Sequence, residues 1–266
     1  MSILMCRPDF FGIEYEINPW MSMNVQVNHA LAIEQWESLV ATYKQLGETI
    51  ELIEPIQGLP DLVFTANSGV VWNKRVVASN FRHKERRGEE PHWKAWFEGH
   101  GFEVHQLPRE VFFEGAGDAL FVGETMFCGH GFRSDPEAGT MAASLLDVEL
   151  VPLKLADAHF YHLDTCFCPL NEDTVMFAPG AFDEESVEVI KKRVKNTIEV
   201  APKTASSFVC NAMPIAGHLV ATPSVAELNG AIQAIGLDPI GLSMSEYMKS
   251  GGAVRCLSLP LGIGAK

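Results

Sequence analysis

Short apolar runs recur along this chain in pairs. Each pair is separated by turn-forming residues and followed by a helical stretch and one further short run. The runs at 119–122 and 125–128 flank Gly123-Glu124, and those at 166–170 and 175–177 flank Asn171-Glu172-Asp173. In the same way 70–72 and 76–78 flank Asn73-Lys74, preceded by a run at 62–65. Asx-Gly-like and Gly-X dipeptides between β-prone runs signal hairpins. Helical patterns are predicted at 28–46, 91–99, 136–146, 184–194 and 224–235, and closing strands at 51–53, 102–107, 149–153, 197–200 and 237–242. Asp61, Asp118, Asp164, Asn211 and Cys256 each open a predicted hairpin strand, at intervals of 57, 46, 47 and 45 residues. Such a period marks repeated supersecondary units. The last strand, 254–259, has no helix after it, and a strand at 3–6 with the helix 28–46 completes that unit across the chain ends. The predicted fold class is α/β, with five ββαβ repeats in a closed, pseudo-fivefold ring. Equivalent strand starts then gather at one end of the ring axis, bringing three acids, an amide and a thiol together.

The 266 residues allow one large domain or two small ones, at roughly 100–200 residues each. We expect a single catalytic domain over 1–266. Hydrophobic residues at 47% and charged residues at 20% describe a chain that can bury a core, which excludes disorder as the main state. The formal charge of -14 argues against a nucleic-acid binder and suits a cationic small molecule. No stretch reaches the roughly 18 apolar residues of a membrane span, and the N-terminal residues lack the pattern of a secretory signal. The six cysteines form no CxxC pair or zinc-like spacing, so we expect reduced thiols in a cytoplasmic protein, and no metal. On a strand, Cys166 and Cys168 would share one face.

Four segments carry the chemistry: Pro60-Asp61-Leu62-Val63-Phe64-Thr65-Ala66-Asn67, Phe113-Glu114-Gly115-Ala116-Gly117-Asp118, Phe160-Tyr161-His162-Leu163-Asp164-Thr165-Cys166 and Gly251-Gly252-Ala253-Val254-Arg255-Cys256-Leu257. Together they resemble the guanidino-group modifying enzymes, which comprise arginine deiminases, dimethylarginine dimethylaminohydrolases, arginine dihydrolases and amidinotransferases. The chain is most similar to the arginine dihydrolases, through MCRPDFFGIEYEINPWM, HKERRGEEPHWKAWFE, FEGAGDALF, GFRS and FYHLDTCFCPL, over about residues 3–259. The resemblance implies the five-bladed α/β propeller, or pentein, fold.

By this resemblance Cys256 is the thiolate nucleophile that attacks a guanidinium carbon. On composition alone it reads as a buried strand residue. His162 and Asp164, two apart, would share a face if the segment is a strand. His162 then protonates departing ammonia and activates water, while Asp164 holds an edge of the guanidinium. The resemblance makes Glu114 the partner of His162, favouring its protonated form, and Asp118 a substrate contact. Asn67 stands where deiminases and the dimethylarginine enzymes generally carry an acid. A carboxylate only accepts hydrogen bonds, whereas an amide also donates. Asn67 would therefore accommodate a guanidinium first and a neutral ureido group second. Asn18 matches a second asparagine of the dihydrolase pattern, with an extended turn before Pro19 as the simpler reading. Arg86 and Arg133 match positions that anchor a substrate carboxylate, for which the guanidinium fork is suited.

The resemblance thus implies hydrolysis of L-arginine to ornithine, carbon dioxide and two ammonia through a covalent thiouronium, with no cofactor. A single-step dimethylarginine dimethylaminohydrolase or arginine deiminase is the alternative. An amidinotransferase fits less well, since it needs room for an acceptor amine, and a non-catalytic arginine-binding sensor on the same fold fits least. The expected partner is the small-molecule substrate, with no nucleic acid and no membrane; self-association into a homo-oligomer is compatible with the sequence. Residues 10–27, rich in aromatics and methionine, read either as a lid or as packing under the first helix.

Overall fold

The computed structural model describes residues 2–264. Its described elements, in chain order, are β1 (Ser2–Cys6), α1 (His29–Gln45), β2 (Thr49–Ile53), β3 (Gly69–Trp72), β4 (Arg75–Ala78), α2 (Glu90–Gly99) and β5 (Glu103–Gln106). There follow β6 (Ala119–Val122), β7 (Thr125–His130), α3 (Pro136–Leu146), β8 (Glu149–Lys154), β9 (Phe167–Pro169), β10 (Thr174–Phe177), α4 (Glu184–Arg193) and β11 (Asn196–Glu199). The remainder is α5 (Pro202–Ala205), β12 (Met213–Ile215), β13 (His218–Ala221), α6 (Asn229–Ala234), β14 (Asp238–Gly241), α7 (Ser245–Met248) and β15 (Leu259–Pro260).

The local chemistry accounts for these boundaries. Asn28 caps α1 by accepting from the Leu31 N–H, and the helix buries Ala32, Trp36, Leu39, Val40 and Tyr43 on one face. Asp183 caps α4, which carries Glu184 and Glu185 in its first turn and Lys191, Lys192 and Arg193 in its last, matching the helix dipole. The β3–β4 turn places both Asn73 (φ 49°) and Lys74 (φ 64°) in the left-handed region, as a two-residue hairpin with the right twist requires.

The strands form five three-stranded sheets with one repeated pattern. An antiparallel hairpin is extended by a parallel strand that returns after a helix, as in β3–β4–β5, β6–β7–β8, β9–β10–β11 and β12–β13–β14. The fifth sheet is assembled from the two ends of the chain: β1 pairs antiparallel with β15 and parallel with β2. The expectation that the terminal strands complete one unit is met in register, with Leu4 opposite Leu259. The apolar clusters are shared between successive units. One links Leu120, Phe127, Phe167, Phe177 and Leu219; another joins Ile3, Trp36 and Tyr43 to Met213, Tyr247 and Leu257.

Several expectations need correction. Residues 62–65 are not a strand; Pro60–Val63 and Thr65–Ser68 are 3-10 turns, and the hairpin starts at Gly69. Local bonds compete with a ladder there: the Phe64 N–H donates to Asp61 O, and Ser68 Oγ donates to Thr65 O. Asp118, Asp164, Asn211 and Cys256 likewise stand in turns just before strands. Asp61 is a turn too early, and Asn67 holds the equivalent place. His162 is extended but Asp164 lies in the 3-10 turn Leu163–Thr165, so strand alternation does not relate them. Cys166 falls outside β9, and its thiol contacts the carbonyls of His162 and Leu163, whereas that of Cys168 faces Ala212 O. The 224–235 helix is split into a 3-10 turn, Pro223–Leu228, and α6. The expected strand 254–259 shrinks to β15, because Asn211 Oδ1 takes the N–H groups of Ala253, Arg255 and Cys256. Those donors cannot also serve a sheet.

Candidate active site

The turns that precede β3, β6, β9, β12 and β15 bring Asn67, Asp118, Asp164, Asn211 and Cys256 into one buried region. Two glycines mark how tightly it is built. A Cβ on Gly117 would lie 2.3 Å from Asn67 Nδ2 and 3.2 Å from His162 Nδ1, so only glycine lets this backbone pass between them. Gly251 (φ +83°) lies against Tyr161 Oη and Asn18 Oδ1, and begins the turn that carries Cys256.

Cys256 Sγ donates to Asp164 Oδ2 at 3.2 Å and receives Asn211 Nδ2 at 3.1 Å. Burial, with the Asp164 charge beside it, holds this thiol well above its usual pKa. Asp164 is itself pushed up to about 7 by burial, against the opposing bond from Cys256 and the charge of Arg255. Its Oδ1 has no partner. His162 Nε2 meets Glu114 Oε2 at 2.8 Å, and Nδ1 is buried and unpartnered. Glu114 also receives Arg133 Nη1 on Oε2 at 2.8 Å. Burial alone would raise its carboxyl, but Arg133 and His162 pull it below the usual range. Asp118 accepts from Leu163 N–H on Oδ1 and from Ser134 Oγ on Oδ2, and burial raises its pKa strongly.

Glu114 does draw His162 toward its protonated form, through its bond and its charge, but it does not prevail. Burial outweighs the Glu114 bond and charge, Arg133 and Arg86 add repulsion, and the ring is pushed down to about 4. Burial thus favours the neutral ring, in which an Nε2–H would face the Glu114 carboxylate and Nδ1 would carry the lone pair. The bidentate carboxylate anchor expected of Arg86 is also corrected. Its Nε and Nη2 already grip Glu89, Nη1 donates to Asn67 Oδ1 at 2.7 Å, and Nη2 donates to Asp61 O. One N–H of five remains. Arg133 is less committed: it bonds Glu114 and the Ile17 carbonyl and lies with Cζ 4.6 Å from the Tyr161 ring centroid.

Asn18 is present but mostly occupied. Its Oδ1 accepts from the Trp20 and Met21 N–H groups, and Nδ2 donates to Ser250 O. The simpler turn reading holds for its oxygen. Residues 10–27 are tied to the site region at several points: Tyr15 Oη donates to Asp61 Oδ2, Trp20 Nε1 to His159 O, and Phe11 stacks on Tyr247. They lie as a strap across the nucleophile turn rather than solely under α1.

Asn211, Ser134 and Tyr161 complete the site and were not picked out as site residues from sequence. For Asn211 the signal was its place in the repeat. Ser134 bridges the Glu114 N–H and Asp118, and Tyr161 Oη donates to Gly251 O. Asp61 also leaves Oδ1 unpartnered beside Arg86. The described residues contain no His, Cys, Asp and Glu grouping arranged to hold a metal ion, and no helix of the described residues is long and apolar enough to cross a membrane. What remains is a cluster of unsatisfied buried atoms: Asn67 Nδ2, Glu114 Oε1, His162 Nδ1 and Asp164 Oδ1. Buried polar atoms are mostly paired, so four unpaired ones brought together are what a polar ligand would satisfy.

Residues 7–262 match the family profile described as N,N dimethylarginine dimethylhydrolase, eukaryotic. The bifunctional arginine dihydrolase/ornithine cyclodeaminase AgrE of Nostoc sp. is 42% identical over 96% of this chain, and the chain spans 37% of that relative's length. The N(G),N(G)-dimethylarginine dimethylaminohydrolase of Mycobacterium tuberculosis is 37% identical, over 97% of this chain and 84% of its own. A crystal structure of the N-terminal domain of ArgZ, covalently bonded to a reaction intermediate, aligns with a TM-score of 0.96 at 42% identity over 98% of both chains.

Proposed function

The chain belongs to the dimethylarginine dimethylaminohydrolase family, and on that premise we propose that it hydrolyses the guanidino group of L-arginine twice, giving ornithine, carbon dioxide and two ammonia. The likeness to AgrE and to the ArgZ domain supports arginine as substrate. The observation that carries the two-step reading is the orientation of Asn67. Arg86 holds its Oδ1, so the edge left free is Nδ2, a donor. The expectation that Asn67 would also hold the guanidinium is given up in this reading: a guanidinium has only donors and finds no match at Nδ2, whereas the carbonyl of a ureido group does.

In this reading the guanidinium binds between Asp164 and Asp118, and its charge favours ionisation of the Cys256 thiol beside Asp164. Sγ attacks the guanidinium carbon. His162 takes up on Nδ1 the proton that the thiol gives up and delivers it to the departing ammonia as the C–N bond breaks, leaving a covalent thiouronium. His162 then deprotonates water, which adds to the same carbon; the C–S bond breaks and citrulline forms. In the second round Nδ2 of Asn67 supports the ureido oxygen as Sγ attacks again. A second ammonia leaves, water releases the carbamate from sulfur, and the carbamate decomposes to ornithine and carbon dioxide. Glu114 steadies the imidazolium each time it forms. Arg133 anchors the substrate carboxylate, the free Oδ1 of Asp61 suits the α-ammonium, and Arg86 acts chiefly by orienting Asn67. Asn18 contributes by fastening the strap to the nucleophile turn.

We also read the five sheets as blades of a closed, pseudo-fivefold propeller forming one catalytic domain over 1–266. The identical ββαβ pattern of each sheet supports this, as does closure of the fifth by both chain ends. The substrate is a free small molecule, and the acidic chain suits its cation.

The test is product analysis by mass spectrometry after incubation with L-arginine and, in parallel, asymmetric dimethylarginine. Ornithine with two ammonia per turnover supports the proposal. Citrulline as the sole product from arginine makes the chain a deiminase and removes the role given to Asn67. Citrulline and dimethylamine from the methylated substrate, with arginine inert, assigns it the single-step reaction of the Mycobacterium relative.

A further inference from the structure

Beyond the site turns, β6, β9, β12 and β15 run on to line a cavity of about 190 Å³ that opens to the surface. Its wall is apolar, including Leu120, Phe121, Phe167, Met213, Pro260 and Ile263. One charged group lines it, Arg255, which is 8% exposed. Its polar contact is a soft one, Nη1 on Met213 Sδ at 3.2 Å, and no carboxylate of the described residues pairs with it. Nε is buried without a partner. The contrast with Arg86 is direct. The Nε and Nη2 edge with which Arg86 grips Glu89 is unoccupied in Arg255. A buried guanidinium with that edge open is costly unless an anion completes it.

We propose that this cavity binds a small organic monocarboxylate with a compact apolar body, its carboxylate seated on Arg255. The single cation sets one negative charge, and the apolar wall would penalise a second. Size sets the body, since an apolar cavity of about 150 Å³ is large enough for benzene. The site is separate from the one that holds Cys256, but it is coupled to it. Arg255 is also a charge neighbour of Asp164, so an anion on Arg255 weakens the support it gives the Asp164 carboxylate. The occupant therefore lowers affinity for a cation at the catalytic site by a bounded factor, and the reverse holds equally.

The test is a calorimetric titration of the Cys256→Ser protein with sodium benzoate, with benzamide as the uncharged control. It is performed without and with increasing L-arginine, and it reads binding alone, so it stands whether or not arginine is turned over. Benzoate is expected to bind one to one and at least about tenfold more tightly than benzamide, the difference one charge-assisted contact makes. Arginine should weaken it only to a plateau. Arg255→Met and, at the cavity mouth where the chain is irregular, Ile263→Trp should each abolish binding. Ile263→Trp decides the matter if Arg255→Met does not fold. Absence of binding at millimolar benzoate, equal binding of benzamide, binding that survives Ile263→Trp, or displacement that grows without limit as arginine rises would each overturn the proposal.

Discussion

If Asp164 holds the guanidinium as proposed, it should set the pH dependence of arginine binding, because burial pushes its carboxyl up to about 7 while the cation prefers the ionised form. Below that value the free protein carries a proton that must leave when the cation binds. Calorimetry of L-arginine with Cys256→Ser should therefore show Kd falling by at least about tenfold per pH unit from pH 5 up to about 7, Asp118 being raised by burial in the same direction. A flat profile would mean that Asp164 does not face the guanidinium. Cys256→Ser should itself lower kcat by about 10⁴-fold or more while leaving arginine binding measurable. Asn67→Asp exchanges the free donor edge for an acceptor, and product analysis should show citrulline accumulating in place of ornithine. Continued ornithine release from that variant would defeat the assignment of Nδ2 to the second step. At this scale the sequence was informative about identity and less so about state. The residue types of the cluster were legible from their motifs. The occupation of Arg86 by Glu89, and the dominance of burial over Glu114 at His162, depend on distances that no spacing of residues conveys.

The turns that carry the site depend on side chains that replace backbone pairing, and Asn211 is the one with most at stake. Its Oδ1 serves three N–H groups of the nucleophile turn, and its Nδ2 donates to Cys256 Sγ and Asp164 O. Asn211→Ala leaves the Ala253 and Cys256 N–H groups unpaired in the interior, at about 1–3 kcal/mol for each orphan, while the Arg255 N–H keeps the Asn211 carbonyl. Its Tm should fall by roughly 5–10 °C, with kcat collapsing as well. Asn211→Asp keeps the accepting edge but loses the bond to sulfur, so its Tm should stay closer to that of the parent while kcat falls. Equal melting of the two variants would show that the acceptor does not hold the turn. Pattern reading found the helices and the hairpins, because α1 and the β6–β7 pair announce themselves by period and by Gly123-Glu124. It misplaced the turns as strands at 62–65 and 254–259. Apolar runs of that length look alike whether they enter a ladder or are captured by a single amide, and the amide that captures 253–256 lies more than 40 residues away.

At the level of the molecule, closure rests on β1, which joins β2 on one side and β15 on the other. Leu261 N–H donates to Ser2 O at 2.9 Å, so the two ends of the described chain are neighbours. A circular permutant that links them and opens at the exposed turn 171–173 should fold and retain most of its activity, checked by Tm and product formation. Deletion of residues 2–6 should instead abolish cooperative melting, since it removes the central strand of one sheet. That same pairing imposes an order on the making of the protein. A ribosome delivers β1 long before β15, and Cys256 emerges only three residues before that strand. Until then one edge of β1 is open and the acids and imidazole already in place have no thiol among them. The nascent chain is thus chemically silent until Cys256 has been made, and β1 keeps an unpaired edge for as long as it waits for β15.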